Sequence, residues 1–422
     1  MAMDFPSAPT VGQAFGNYTW DGEKWVMSQP SSGAVRYDIA QTLTSDVLPA
    51  TKGQRTQARN NIAAAPLDTL AFSGMQINGS MEINQETGTA TVTANVARVC
   101  DGWLQYRSGG SWGTLNSVRM GLQPTELPGF SFALRCWVGT AGGVTAATDE
   151  FLIQHSIEGY RVARLAWGTP AAKPLTFACW MRVKRPGTYS GSIRNGNLTR
   201  AYTFSFTAAA NTWQYKVFTI PGDTLGTWSK ENQTGLNIIF CIAAGSTTSA
   251  PANAWTAGSY IGVTGTENMF SSNDDFLDIT GLIVLPGIEA PSAENSALIM
   301  RPAGEESLIC YRYLQFNRAR LGGFCNGAVA VGGAAAITFQ HQPIVPYRVY
   351  PTVSLMATTF DFESPPWNAA GQISNAVVGS NGHIEPTGGD LMISGTVNLI
   401  PLTTHAPATL TYANMIKFDA RL

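Results

Sequence analysis

Residues 175–183 alternate strictly: Leu175, Phe177, Cys179, Met181 and Val183 fall on one side, Thr176, Ala178, Trp180 and Arg182 on the other. A period of two is the pattern of a strand with one buried face. Tyr202, Phe204 and Phe206 alternate with Thr203, Ser205 and Thr207 in the same way, and Trp213, Tyr215 and Val217 interleave with Gln214 and Lys216. Leu236, Ile238, Phe240 and Ile242 close the series in a strand apolar on nearly both faces. Turn chemistry separates these runs at 185–187, Asn195-Gly196, Pro221-Gly222-Asp223 and 232–235. Short strands joined by Gly, Pro and Asn turns predict an antiparallel β-sandwich of jelly-roll type.

The same pattern extends both ways. Met75, Ile77 and Ile83 alternate ahead of a turn at 84–88 and supply the expected first strands, while 276–285 is an apolar run broken by Asp278 and Gly281. Near the end Leu391, Ile393 and Val397 alternate with Met392, Ser394 and Thr396, and 349–358 and 413–420 are further candidate strands. Residues 139–147 and 244–258 read as loops, with Trp255 near the tip of the second. At the start, Tyr18-Thr19-Trp20 and Trp25 flank Asp21-Gly22, which predicts a small hairpin too short to build its own core. Thr51 can cap a short helix whose apolar stripe is Ala58 and Ile62, too narrow to hold a helix in water unless other copies pack against it. The chain therefore reads as all-β: an N-terminal arm (1–34), a short helical linker (35–70), a jelly-roll sandwich (71–290) and a smaller C-terminal β-sandwich (303–422).

Several of these segments carry a resemblance. The ordered series Ile157-Glu158-Gly159, Trp167-Gly168-Thr169, the strand ending in Trp180, Asn211-Thr212-Trp213, Ile220-Pro221-Gly222-Asp223, Gly226-Thr227-Trp228 and Leu308 to Tyr313 resembles a jelly-roll module of tailed-bacteriophage tail-fibre and receptor-binding proteins. It covers roughly Gly74 to Tyr313. The Trp20-Asp21-Gly22 segment is similar to docking modules near the N-termini of phage structural proteins, which implies attachment to other virion proteins through Tyr18, Trp20 and Trp25. Packing of these three against the chain's own body is the alternative. The string from Gln57 to Ala63 resembles a segment of trimeric phage fibres, and so implies a homotrimer. Together these resemblances imply a virion component, assembled in the host cytoplasm, with a fold similar to carbohydrate-binding modules and a host-surface polysaccharide as partner.

Composition narrows the chemistry. Charged residues are 13% of the chain, where about 25% is usual. A net charge of −2 leaves no electrostatic footprint for nucleic acid or an anionic membrane. The first ten residues have neither the basic start nor the apolar centre of a signal peptide, and the uncharged stretch 322–347 lacks the sustained large apolar residues of a membrane span. The six cysteines form no CxxC pair, which argues against a zinc cluster; buried thiols are expected, with oxidative cross-linking of protomers as the alternative.

No nucleophile elbow, P-loop or His-Glu-x-x-His motif occurs, and no cofactor is expected. His155 falls in line with Phe151, Ile153 and Ile157 and reads as a core histidine. Asp274, Asp275 and Asp278, or Asp361 and Glu363, could supply carboxylate pairs of the kind a glycosidase uses, but close spacing in sequence says nothing about the separation such an enzyme needs; they read first as solvated turn and strand-edge acids, so a non-enzymatic protein is expected. Sugars present C–H faces that stack on aromatic rings and hydroxyls that pair with Asn, Asp and Arg. Trp180 and Arg182 face away from the apolar set of their strand, and Arg194, Asn195 and Asn197 lie in and beside the next turn, which makes these five the candidate glycan contacts. Burial of Trp180 against a second sheet or a neighbouring protomer is the competing expectation. The functional expectation is glycan adhesion, with a ligand-free architectural part or a polysaccharide depolymerase as alternatives.

Overall fold

A computed structural model describes residues 8–15, 18–27, 74–109, 113–142, 146–317, 321–326, 334–356, 360–364, 369–378, 383–398, 407–410 and 416–422. The chain forms two compact units, 1–64 and 65–422. In the first, β1 (Ala14–Phe15), β2 (Tyr18–Trp20) and β3 (Trp25–Met27) make an antiparallel sheet. Asp21 forms the expected turn by accepting hydrogen bonds from the backbone N–H groups of Glu23 and Lys24, at 2.9 and 2.8 Å. The expected helical linker, with Ala58 and Ile62, lies outside the described residues.

The second unit is all-β, as the alternation predicts. Its seven-stranded sheet runs in the order β15 (Trp255–Ala257), β11 (Arg200–Ala208), β10 (Gly187–Asn195), β13 (Thr234–Ala244), β8 (Glu150–Glu158), β5 (Trp103–Ser108) and β4 (Val96–Cys100). The five-stranded sheet runs β12 (Gln214–Ile220), β9 (Leu175–Val183), β17 (Phe276–Pro286), β7 (Phe132–Thr140) and β6 (Thr114–Gly121). The core between them joins Leu134, Phe177, Met181 and Ile279 of the smaller sheet to Trp103, Ile153, Phe204, Ile238 and Phe240 of the larger. Phe177 meets Phe204 at 5.2 Å between ring centroids, edge to face. The loop from 245 to 267 carries a two-stranded ladder, β14 (Ser249–Ala250) with β16 (Gly262–Val263), and buries Ile261 on the outer residues Leu152, Ile239 and Cys241. The outer face of the larger sheet is thereby covered there.

Three local expectations are corrected. Residues 75–83 are not a strand, although 75–81 are buried: Asn78 and Met81 have φ of 52° and 59°, which breaks the pleat. The N–H groups of Met75, Ile77 and Asn78 go instead to Val284 O, His155 Nε2 and Glu306 Oε1. In β12 it is Phe218 that faces the core, against Phe177 at 4.7 Å, while Val217 is 41% exposed. Tyr215 pairs with Trp180 and lies with it on the outer face. Trp255 is no loop tip: it lies in β15 and packs edge to face on Trp167 and Trp228, at 5.3 and 5.5 Å.

The C-terminal strands are β18 (Leu314–Asn317), β19 (Leu321–Asn326), β20 (Ala334–His341), β21 (Thr352–Leu355), β22 (Phe360–Ser364), β23 (Ala369–Val378), β24 (His383–Glu385), β25 (Gly388–Asn398), β26 (Pro407–Leu410) and β27 (Ile416–Asp419). Pairing of β20 with both β19 and β25 closes β20-β19-β26-β22-β23-β25 on itself, so the strands expected to form a C-terminal β-sandwich instead make a closed ring with no open edge along it among the described residues. A separate sheet, β18-β27-β21, sits beside the sandwich. Helix α1 (Ala303–Tyr311) leads into it. Buried Arg301 pairs with Glu306 at 2.9 Å, and Glu306 accepts from the Asn78 N–H at 2.6 Å, so the start of α1 is fastened to the start of the sandwich. Glu158 of β8 takes Arg312 Nη2 at 2.8 Å and the Tyr313 hydroxyl at 3.1 Å. Cys100, Cys136, Cys179, Cys241 and Cys310 are buried free thiols, and burial pushes each of them above its ordinary range.

Candidate functional site

The outward residues of the five-stranded sheet fall into rows across the strands. One row runs Met120, Ala133, Thr280, Trp180 and Tyr215, the next Val118, Arg135, Asp278 and Arg182, and the third Asn116, Trp137 and Phe276, followed by Lys184. Strand alternation dictates these rows, because Leu134, Cys136, Leu277, Ile279, Met181 and Val183 take the inward positions.

Two segments cover the first row. Trp180 donates its indole N–H to Ser296 Oγ at 3.0 Å and meets the Tyr215 ring at 5.3 Å, and the Tyr215 hydroxyl donates to Pro291 O at 3.1 Å. Leu122, Leu127 and Phe130 close over the same patch, with Ala297 and Met300 packed on it.

The middle row is an ion network around Asp278, which is fully buried. Arg135 grips its carboxylate with two bonds, Nε to Oδ1 at 2.7 Å and Nη2 to Oδ2 at 2.9 Å. Arg182 Nε donates to Oδ2 at 2.8 Å and its Nη1 to Glu126 Oε1 at 3.0 Å. Hydrogen bonding to Asp278 raises the Arg135 guanidinium above its ordinary range, which keeps it charged. The guanidinium of Arg135 lies 4.3 Å from the Phe276 ring centroid, and that of Arg182 lies 4.8 Å from that of Trp213.

The third row is open. Val118, Met120, Arg135, Trp137, Lys184, Asp274 and Phe276 line a concavity of about 510 Å³. Trp137 and Phe276 are half-buried, and the Trp137 indole N–H has no hydrogen-bond partner among the described residues. Two aromatic surfaces beside an ammonium, a guanidinium and a carboxylate form a place where a pyranose ring can stack and its hydroxyls can pair.

The five expected glycan contacts do not come together. Trp180 and Arg182 lie on the outer face of the smaller sheet, whereas Arg194, Asn195 and Asn197 belong to β10 and its turn in the larger one. Trp180 sits beneath 291–300, covered by a connecting segment of its own chain and not by a second sheet or a neighbouring protomer. Arg182 borders the concavity through Phe276, 6.0 Å from its guanidinium. Arg194 is 4% exposed and donates to Ser259 Oγ at 2.7 Å. Asn195 is fully buried; its Oδ1 accepts the N–H groups of Thr199 and Arg200, and its Nδ2 donates to Thr227 O, so its capacity is spent shaping the turn. Asn197 is exposed on that turn, on the other sheet from the concavity. Arg194 and Asn195 are therefore structural residues, and Asn197 is remote from the aromatic row.

Trp137, Phe276, Arg135 and Lys184 were missed, and Asp274 was named only as a possible hydrolytic carboxylate. A signal for two of them existed: Leu134, Cys136 and Val138 alternate with Arg135 and Trp137, the same signature that marks Trp180 and Arg182. Periodicity places all four on an outer face, but the covering of one row and the opening of another come from 122–130 and 291–300, distant in sequence. In the first unit, Trp20 and Trp25 are cross-strand partners with rings 5.7 Å apart, and Phe15 meets Trp25 at 6.0 Å. Trp20 and Trp25 thus form a half-buried aromatic ladder with Tyr18 in the same short sheet. Of the carboxylates with a possible hydrolytic use, Asp275 is paired with Arg185 at 2.6 Å and Asp278 with its two arginines, while the side chains of Asp361 and Glu363 lie outside the described set.

The architecture is that of an antiparallel β-sandwich protein with a closed C-terminal sheet. No protein-family model matches the chain, and no curated protein matches it. Solved structures with a similar arrangement include the enzymatically active domain of tailspike protein 4 of bacteriophage CBA120, at 10% identity and TM-score 0.26 over 54% of this chain and 22% of that one. Another is the family 11 carbohydrate-binding module of a Clostridium thermocellum cellulosomal cellulase, at 10% identity and TM-score 0.24 over 49% of this chain and 99% of that one. A third is a xylanase of the same bacterium, with its carbohydrate-binding and catalytic modules, at 10% identity and TM-score 0.24 over 49% of this chain and 30% of that one. The chain thus spans 22% and 30% of the tailspike and xylanase lengths. At this level the likeness carries nothing about the site.

Proposed function

We propose that the chain is an attachment subunit of a bacteriophage tail fibre or spike, which holds host-surface glycan on the open row of its five-stranded sheet. The observation that carries this reading is the concavity itself, where Trp137 and Phe276 stand beside Arg135, Lys184 and Asp274. The ordered motif series from Ile157 to Tyr313 supports the phage context. The protein works as a homotrimer in the virion, and its arm docks other virion proteins through Tyr18, Trp20 and Trp25. Adhesion is non-enzymatic, and weak sites on three linked copies gain strength through avidity.

A glycan array probed with the purified full chain tests the reading. Binding to at least one host-type glycan is expected, weakened roughly two- to tenfold in Trp137→Ala, because removing a stacking ring costs on the order of 0.5–1.5 kcal/mol. Failure of the native protein to bind any member of the array, or unchanged binding by Trp137→Ala, overturns it. Immunogold labelling of the particle checks the location; a label confined to head or collar, with no glycan bound, establishes the architectural alternative.

A further inference from the structure

We infer that Asp274 determines the specificity of this face, and that with Lys184 it selects a neutral, hydroxyl-rich glycan over an acidic polysaccharide. The inference rests on the reading of this face as a glycan site. It begins from backbone geometry: Asp274 holds φ at 58°, in the left-handed region where glycine alone is free of strain. Its neighbours hold the turn without help from its side chain. The Asp274 N–H donates to Val138 O at 2.8 Å, Asn273 Oδ1 accepts from the Ala141 N–H at 2.6 Å, and the Asp275 carboxylate is held by Arg185 at 2.6 Å. The Asp274 carboxylate is exposed on the wall of the concavity and makes no hydrogen bond or ion pair among the described residues. A strained residue whose side chain has no structural partner, at the rim of a cavity, is placed to meet a ligand.

Charge then selects the ligand class. Around the face stand three cations, Arg135, Arg182 and Lys184, and three anions, Glu126, Asp274 and Asp278, which sum to zero. Asp278 takes up both arginines, and Lys184 Nζ makes one long bond, to Asn273 O at 3.4 Å. The ligand therefore meets an ammonium held by one long bond, with donors to spare, and one carboxylate that makes no bond among the described residues. Neighbouring hydroxyls of a neutral sugar satisfy both, donating to Asp274 and accepting from Lys184. A polyanion finds no net attraction here, and its carboxylates are opposed by Asp274.

The experiment compares retention of the full chain on immobilised neutral polysaccharides (dextran, mannan, galactan) and acidic ones (alginate, polygalacturonate), across a salt series. Retention by a neutral polymer is expected, changing less than about twofold between roughly 50 and 500 mM salt. Asp274→Gly is the decisive variant, because glycine accepts the positive φ and cannot unfold the turn by strain. It is expected to weaken neutral retention about tenfold or more, with an unfolding midpoint at or above that of the native chain. Native-like neutral binding by Asp274→Gly overturns the role of Asp274. Preferential, salt-sensitive retention on acidic polymers overturns neutral selection and leaves attachment standing. Retention by neither class removes the attachment reading, and this inference with it.

Discussion

Acidification is expected to loosen the sandwich through His155. This side chain is fully buried in β8, its Nε2 accepts the Ile77 N–H at 3.2 Å, and its ring lies 4.8 Å from that of Trp103. Burial lowers its pKa from 6.5 to about 3, because the imidazolium would lose its hydration with no carboxylate in contact to replace it. Its contribution is therefore complete above the unfolded value of 6.5 and is lost as pH falls through the window down to about 3. At about pH 5 the loss is roughly 2 kcal/mol, and it approaches roughly 5 kcal/mol below the folded value. His341, stacked on Phe418 at 3.7 Å, has the same sign over the narrower window from 6.5 to about 4, again through burial. It adds roughly 2 kcal/mol at about pH 5. Urea unfolding followed by tryptophan fluorescence at about pH 7.5 and about pH 5 measures the sum. In His155→Gln the amide oxygen can still accept from Ile77 but carries no titrating group, so about half of the acid-dependent loss should disappear. Native and variant chains with the same loss between the two pH values would refute the argument.

Two further outcomes follow from ion pairs. Asp278→Asn leaves Arg135 and Arg182 facing each other without their shared anion; both retain some solvent, so the cost is roughly 2–3 kcal/mol, checked by the urea midpoint. Arg301→Met strands the buried Glu306 carboxylate against Asn78 and should cost about 3–5 kcal/mol, with hydrogen exchange rising first in α1 and at 75–78.

Much of the architecture was legible along the chain. Alternation at 175–183 and 202–207, and the two-faced apolar run at 236–242, identified β9, β11 and β13 and which of their residues turn inward. Tyr18, Asp21 and Trp25 marked the arm's turn for the same local reason, since a side chain two or three residues away supplies the capping oxygen. The core histidine was readable because His155 shares the parity of its apolar neighbours. Residues 75–83 misled, because alternation there coincides with two left-handed residues, and the backbone is satisfied by groups from elsewhere in the chain.

The sequence by itself determined the strands, their inward and outward faces and the poverty of catalytic motifs, all of which depend on residues within a few positions of one another. Only the tertiary structure decided that Trp180 is covered and Trp137 open, that Arg194 and Asn195 belong to another sheet, and that Arg135 and Arg182 share Asp278. Those relations join positions up to 143 residues apart, as in Arg135 with Asp278. Side-chain parity says which face a residue occupies. What lies over that face depends on how distant segments pack, and neither 122–130 nor 291–300 carries a local sign of where it will rest.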